Sequence, residues 1–365
     1  METLKRYLLP GFVFQSVVIA GGYGTGRELA EFFLSRGPLG GLFAMGVATL
    51  IWSAVSMASY EFARVYQVFD YRAFFKRLLG PGWVLYEISY IGLLMIVLAV
   101  IAAASGSILE ETFGLPYLVG VIGITVLVGL LVVGGNDLIE RVFTGWSAVL
   151  YLVYIAFFVW SMSRFGPEIR SAFAAGTIEG SWIQGGIAYA GYNLGVIPAV
   201  LFTLRHHKNR KETLVAGFLT GPIAMAPALL FFLAMAGEYP GILERAVPAN
   251  HMLELLGSRG FQIAFQVMLF GTLVETGTGL IHAVNERLAG ALAQKGQALS
   301  TRLRMTTATG LLVLAALIAQ FGLIALIAKG YNSLTWAFVF VFIIPILTWG
   351  LVLIARAGNE GTPVA

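Results

Sequence analysis

Several apolar stretches of this sequence carry polar groups whose types and spacing could do chemistry. The densest is "LVETGTGLIHAVNE", in which Glu275, Thr278, His282 and Asn285 fall at i, i+3, i+7 and i+10 and share one helix face. A carboxylate and an imidazole in that arrangement could carry a proton. The hydroxyls of Thr276 or Thr278 could instead complete a sodium site, and an interhelical hydrogen-bond network without any transported ion would use the same residues. Ionisable groups are expensive in hydrocarbon, so the stripe is expected to face the bundle interior or a hydrated path. No H-E-x-x-H pattern accompanies Glu275 and His282, and no enzymatic activity is expected.

The second constellation is "IAGGYGTGRE", which places Gly21, Gly22, Gly24 and Gly26 inside an apolar run and follows them at once with Arg27 and Glu28. Each glycine weakens a helix by about 1 kcal/mol relative to alanine, and four together favour an unwound segment near mid-membrane. Such a break frees carbonyls at the end of one half-helix and N–H groups at the start of the next, which can serve a cation and a carboxylate side by side. Close helix packing through Gly22 and Gly26 is the competing explanation. Nucleotide binding is excluded, because the glycines lack the G-x-G-x-x-G spacing and no P-loop lysine follows. Arg27 and Glu28 could gate the outer side of this break or merely anchor the helix at the interface.

The elements that position these groups follow from composition. The chain has 365 residues, 58% apolar and 12% charged, with a mean hydropathy of +0.83, which marks an integral membrane protein whose principal partner is the lipid bilayer. Its net charge of +4 is spread between apolar runs, so nucleic acid is not an expected partner. The absence of cysteine removes disulfides and thiolate chemistry. Ten apolar stretches of spanning length run over residues 8 to 33, 40 to 64, 83 to 108, 115 to 134, 138 to 163, 181 to 204, 213 to 236, 260 to 285, 305 to 328 and 332 to 356. Residues 66 to 80 and 247 to 258 are amphipathic and are expected to lie along an interface. The basic residues gather in alternate loops, among them Lys5, Arg6, Arg72, Lys76, Arg77, Lys208, Arg210, Lys211, Arg302 and Arg304. That bias puts both termini in the cytoplasm and favours an even number of spans.

Sliding the chain along itself by 169 residues aligns "FQSVVIAGGYGTGRELAEFF" (14 to 33) on "IQGGIAYAGYNLGVIPAVLF" (183 to 202) without gaps, with six of twenty positions identical. The identities are Gln15 with Gln184, Gly22 with Gly191, Tyr23 with Tyr192, Gly26 with Gly195, Ala30 with Ala199 and Phe33 with Phe202. Spans 1 and 6 are five helices apart and cross in opposite directions, so the chain reads as an inverted 5+5 repeat. Residues 1–163 form the first five-helix repeat; 181–328 and 332–356 hold the second repeat and the remaining spans, in one integrated membrane domain. Span 6 is expected to break as span 1 does, with Tyr189, Tyr192 and Asn193 beside the break.

Ten spans, the broken "AGGYGTG" and "AGYNLG" and the inverted symmetry resemble the LeuT-type fold of the amino acid-polyamine-organocation transporter superfamily. Within it the span-1 stretch looks most like the YkvI-like group of amino acid permeases. The resemblance implies a central site between spans 1, 3, 6 and 8, with a bundle of spans 1, 2, 6 and 7 rocking against a scaffold. It implies carboxylate recognition on the backbone around Gly21, Gly22, Tyr23, Gly24, Thr25 and Gly26. It further implies a possible sodium ion at the carbonyls of Ala20 and Tyr23, completed by Thr276 or Thr278; no other cofactor is implied. Span 5 lacks the lysine that some proton-coupled relatives place near that cation. The expectation is a secondary active transporter of a small amino acid or related metabolite, coupled to sodium or to protons; the alternative is an ion or small-solute channel. Substrate identity, transport direction and oligomeric state are not encoded in these patterns.

Overall fold

The structure is a computed structural model that describes residues 2–19, 21–134, 146–293 and 296–359. Among these residues the chain is helical throughout and forms ten long segments. Span 1 is interrupted: Glu2–Val18, one turn at Gly21–Gly24, then Arg27–Phe32. Span 2 is Pro38–Tyr66, opened by Pro38 in its first turn, where a missing N–H costs nothing. Spans 3, 4 and 5 are Trp83–Phe113, Tyr117–Gly134 and Trp146–Ala174. Span 6 is Trp182–Leu194, continued after a break by 3-10 turns at Ile197–Ala199 and Leu201–His206. Span 7 is Arg210–Ala236, capped by the Asn209 side chain, and span 8 is Arg259–Ala293. Span 9 is Thr301–Ala319, and span 10 runs over Leu323–Ala357 with π turns inside it. Six of these helices are individually long and apolar enough to cross a membrane.

The two amphipathic stretches form the short helices Tyr71–Leu79 and Pro248–Leu255. Spans 1, 2, 6 and 7 pack on one another as one bundle, while spans 3, 4, 8 and 9 pack as a second group. Small residues let the backbones of the first bundle approach. Gly217 of span 7 lies against the Met57 backbone, and Gly221, one turn on, lies against Thr49 O and Ser53 of span 2.

Three boundaries differ from the hydropathy reading. Span 5 continues eleven residues past 163 through Arg164, Glu168 and Arg170, because hydropathy marks where hydrocarbon ends and not where helical hydrogen bonding does. Span 9 ends at Ala319, and Gly322, with φ of 82°, makes the turn to span 10. Lys329 and Gly330, which read as a loop in sequence, lie inside span 10. The expected start of span 5 at 138 lies outside the described residues.

Candidate functional site

The break in span 1 is narrower than its glycine content suggests. Gly21–Gly24 is itself a helical turn, and Gly26 alone of the four has a positive φ, 79°. Tyr23 O accepts from Gly26 N (2.9 Å), Thr25 Oγ1 donates to Gly22 O (3.0 Å), and Ala249 N donates to Thr25 O (2.9 Å). The other three glycines are explained by close packing: an added Cβ at Gly21 or Gly24 would run into Leu273 or Leu269 of span 8, and at Gly22 into the Glu28 carboxylate. The structure therefore narrows the expected unwound stretch over 21 to 26: the helix is interrupted at Ile19 and again at Thr25 and Gly26, where left-handed Gly26 makes the turn into Arg27–Phe32, and the small side chains between make the fit. Ala20 lies outside the described residues.

Span 6 kinks at Gly195 and Val196. There the Gly195 carbonyl, freed from the helix, accepts from Tyr86 Oη of span 3 (2.9 Å), and Asn193 Nδ2 donates to Tyr189 O (3.0 Å). These partners satisfy backbone that hydrocarbon could not.

The charged pair after the first kink is buried, with Arg27 3% and Glu28 2% exposed, and its two members point apart. Arg27 Nη1 donates to the carbonyls of Leu243 (2.6 Å) and Arg245 (3.0 Å), and its other terminal nitrogen pairs with Glu31 (2.9 Å). Glu28 turns back over Gly22, where its carboxylate accepts from Tyr192 Oη (2.6 Å) and from the Tyr23 backbone N–H. Among the described residues no ion pair reaches Glu28.

A cavity of about 370 Å³ opens beside Glu28, at the small end of the range for small-molecule sites. Span 1 lines it with Ser16, Val17, Val18, Ile19 and Glu28; span 3 with Tyr90, Leu93, Leu94 and Val97; span 6 with Tyr192, Asn193 and Val196. Span 8 contributes Thr272, Glu275, Thr276, Gly279, Leu280 and Ala283, and span 10 adds Tyr331, which stacks on Tyr192 at 4.4 Å between ring centroids. Apart from Glu28, every span-1 lining residue precedes the kink. Beyond the kink the rings of Phe32, Phe33, Tyr189 and Tyr192 pack together, fully buried or nearly so.

The cavity thus joins Glu28, Tyr192, Asn193, Glu275 and Thr276 from the sequence-derived candidates. Thr278 and His282 do not line it: Thr278 is fully buried with its hydroxyl donating to Val274 O (2.7 Å), and Asn285 is buried on the same turned-away side. The cavity face of span 8 is 272, 275, 276, 279, 280 and 283, rotated from the expected stripe by about a quadrant. Gly21, Gly22, Tyr23, Gly24, Thr25 and Gly26 form the packed wall behind Glu28, and Tyr189 sits in the ring cluster. Sequence reasoning missed Tyr331 and Thr272 and gave Tyr90, one turn from Tyr86 on span 3, low weight as a packing or interface residue. The one available signal was that Thr272 precedes Thr276 by one helical turn.

Near the cavity mouth, Arg287 pairs with Glu87 (3.1 Å) and lies over the rings of Tyr71 and Tyr90 (4.0 Å each). At the ends of the broken spans, His207 Nε2 meets Arg6 O (2.8 Å), which ties the foot of span 6 to the foot of span 1. Burial holds the His207 imidazole below the ordinary histidine range.

No family model matches the chain. The chain is similar to the uncharacterized membrane protein YkvI of Bacillus subtilis (strain 168), with 22% identity over 304 residues, 81% of this chain and 84% of that protein. Among solved structures, MhsT in complex with L-phenylalanine matches 97% of this chain and 98% of its own at TM-score 0.60 and 14% identity. A manganese transporter of Eremococcus coleocola matches 100% and 89% at TM-score 0.52 and 14% identity. A Na+-coupled sialic acid symporter, in its substrate-bound outward-open state, matches 97% of each chain at TM-score 0.50 and 12% identity. These matches give the fold: an all-helical membrane protein of the LeuT type, with which the ten long segments are consistent.

Proposed function

We propose that this chain is a secondary active transporter of a small organic solute, an amino acid or related metabolite, that works by alternating access. The observation that carries the reading is a cavity at two paired helix breaks, reached by span 1 through Ser16, Val17, Val18 and Ile19 before its kink and Glu28 after it and by span 6 through Tyr192, Asn193 and Val196, with Arg27 and the Ala249–Thr25 bond closing the side beyond the span-1 kink. A rocking bundle of spans 1, 2, 6 and 7 would exchange that closure for one at the opposite end. With both termini cytoplasmic, as the basic loops favour, the cavity belongs to an inward-facing state in a prokaryotic plasma membrane. Arg27 is then the outer gate, and the Arg287–Glu87 pair stands at the inner mouth.

Coupling to sodium draws support from the Na+-coupled symporter of like fold and from Thr276, which lines the cavity. Glu275, also on the cavity, is the candidate for proton coupling. Neither the asymmetric double break nor the closed outer side calls for a channel, whose pore is commonly built on an oligomer axis.

Uptake into proteoliposomes tests the reading. Accumulation of a solute against its gradient on imposing a sodium or proton gradient is the expected result; ion current without saturable uptake would sink it in favour of a channel. Glu275→Gln is expected to eliminate pH-driven uptake if protons are the coupling ion.

A further inference from the structure

Recognition of an amino acid at a kinked span 1 needs free backbone N–H groups for the α-carboxylate. Here that place is already filled from within the chain. The Glu28 carboxylate lies over Gly22 and takes both the Tyr23 N–H and the Tyr192 hydroxyl. A second carboxylate brought to the same spot would find those donors already taken and no cation among the described lining residues to offset its charge. The helical piece that follows, Arg27–Phe32, is too short to offer another anion site.

The rest of the cavity has the same polarity. Its charged lining side chains are Glu28 and Glu275, and no lysine, arginine or histidine is among the described lining residues. The adjacent arginine, Arg27, is turned outward onto two carbonyls and Glu31. A buried carboxylate with no cationic partner among the described residues is a place for a cation from outside. Tyr192, Tyr331 and Tyr90 bring ring faces and hydroxyls to the wall, and aromatic faces attract ammonium groups. Leu93, Leu94 and Leu280 supply an apolar floor.

We propose that the cavity takes an organic amine with an apolar body and no free carboxylate, and that Glu28 is its counter-ion and the residue that rejects amino acids. This deepens the transporter reading and rests on it only in taking the cavity to be the substrate site.

The test uses the purified full chain in detergent and a matched series of phenethylamine, hexylamine, phenylalaninamide, phenylalanine and 3-phenylpropionate. Thermal unfolding is followed against ligand concentration, since a ligand that binds the folded state raises the midpoint by mass action. The three carboxylate-free amines are expected to raise it, phenylalanine and 3-phenylpropionate are not, and Glu28→Gln is expected to weaken amine binding at least about tenfold, ~1.4 kcal/mol. Tyr192→Phe, which leaves the carboxylate in place, is expected to weaken it less. Stabilisation by phenylalanine equal to that by phenethylamine overturns the proposal, as does undiminished amine binding in Glu28→Gln or no shift with any amine. The wild-type series decides by itself if the Gln variant does not fold. Gradient-driven uptake of an amino acid in proteoliposomes would leave the chain a transporter while removing the amine assignment.

Discussion

The two kinked spans share a frame and differ in what they carry. In the 169-residue alignment Gly22, Tyr23 and Gly26 match Gly191, Tyr192 and Gly195, yet the next two residues are Arg27 and Glu28 in the first copy and Val196 and Ile197 in the second. The first kink turns on a left-handed glycine and places one charge toward the outer loop and the other toward the cavity. The second has its kink carbonyl held by Tyr86 and contributes a ring, an amide and aliphatic wall. A repeated element thus retains the means of breaking a helix in both copies while confining the charges to one. On the proposed reading, closure and ligand recognition belong to span 1, and span 6 shapes and supports.

If that division is right, the largest asymmetry will come from Arg27→Ala set against Val196→Ala. The first leaves two carbonyls and Glu31 without their guanidinium, a loss of about 3 kcal/mol for a buried charge network; the second trims one methyl pair. With a cysteine placed at Ala30 of this otherwise cysteine-free chain, alkylation from outside is expected to rise at least about tenfold in the Arg27 variant and to stay unchanged in the Val196 variant. Equal opening in both would end the comparison.

Next in size are the kink glycines. Gly26→Ala meets backbone strain at φ 79°, whereas Gly195→Ala puts a Cβ 2.6 Å from the Phe338 ring. Each is expected to cost about 1–2 kcal/mol in thermal unfolding. Phe338→Leu should restore only the span-6 variant, since trimming Met235, whose sulfur would lie 3.1 Å from a Cβ at Gly26, cannot relieve a dihedral. A smaller effect separates two hydroxyls on span 8. If sodium is the coupling ion, Thr276→Ala should raise the sodium concentration for half-maximal uptake, by about tenfold at most for one lost ligand, and Thr278→Ala should not; matching shifts would contradict the rotated cavity face.

The smallest effect concerns the feet of the two spans. His207 resists protonation in the folded protein because it is buried. The unfolded chain therefore binds the proton more readily, and stability falls as pH drops below the ordinary histidine range. The unfolding midpoint should hold down to about pH 6.5, the ordinary histidine value, and decline below it, and His207→Gln should flatten that slope.

Most of the fold was legible because hydrocarbon imposes one length on every crossing segment, and both short amphipathic helices could be read from their patterns, rings among bases in Tyr71–Leu79 and Met252 and Leu253 among Asn250, His251 and Glu254 in Pro248–Leu255. The repeat was legible because its matches fall on glycine, tyrosine and glutamine instead of common aliphatics. The face of span 8 was not: a threonine in a helix satisfies its hydroxyl on the carbonyl one turn back, as Thr272, Thr276 and Thr278 all do, so its presence says little about where a cavity lies. Glu28 was placed at a gate because it follows the glycines in sequence. Only the left-handed turn at Gly26 returns it to Gly22, and that turn could have fallen at any of the four glycines. Tyr331 escaped notice because Lys329 and Gly330 look like a loop when the helix that contains them is unseen.

The helix containing Tyr331 has one more implication. Residues Leu326–Tyr331 form a π turn, one residue wider than its α counterpart. Since each residue advances a helix by about 100°, that additional residue sets the phase with which Tyr331 meets Tyr192. Chain length in this turn, separately from side-chain identity, therefore selects the ring shown to the cavity. A homologue shorter by a single residue here would present a different wall even if all its other residues were the same.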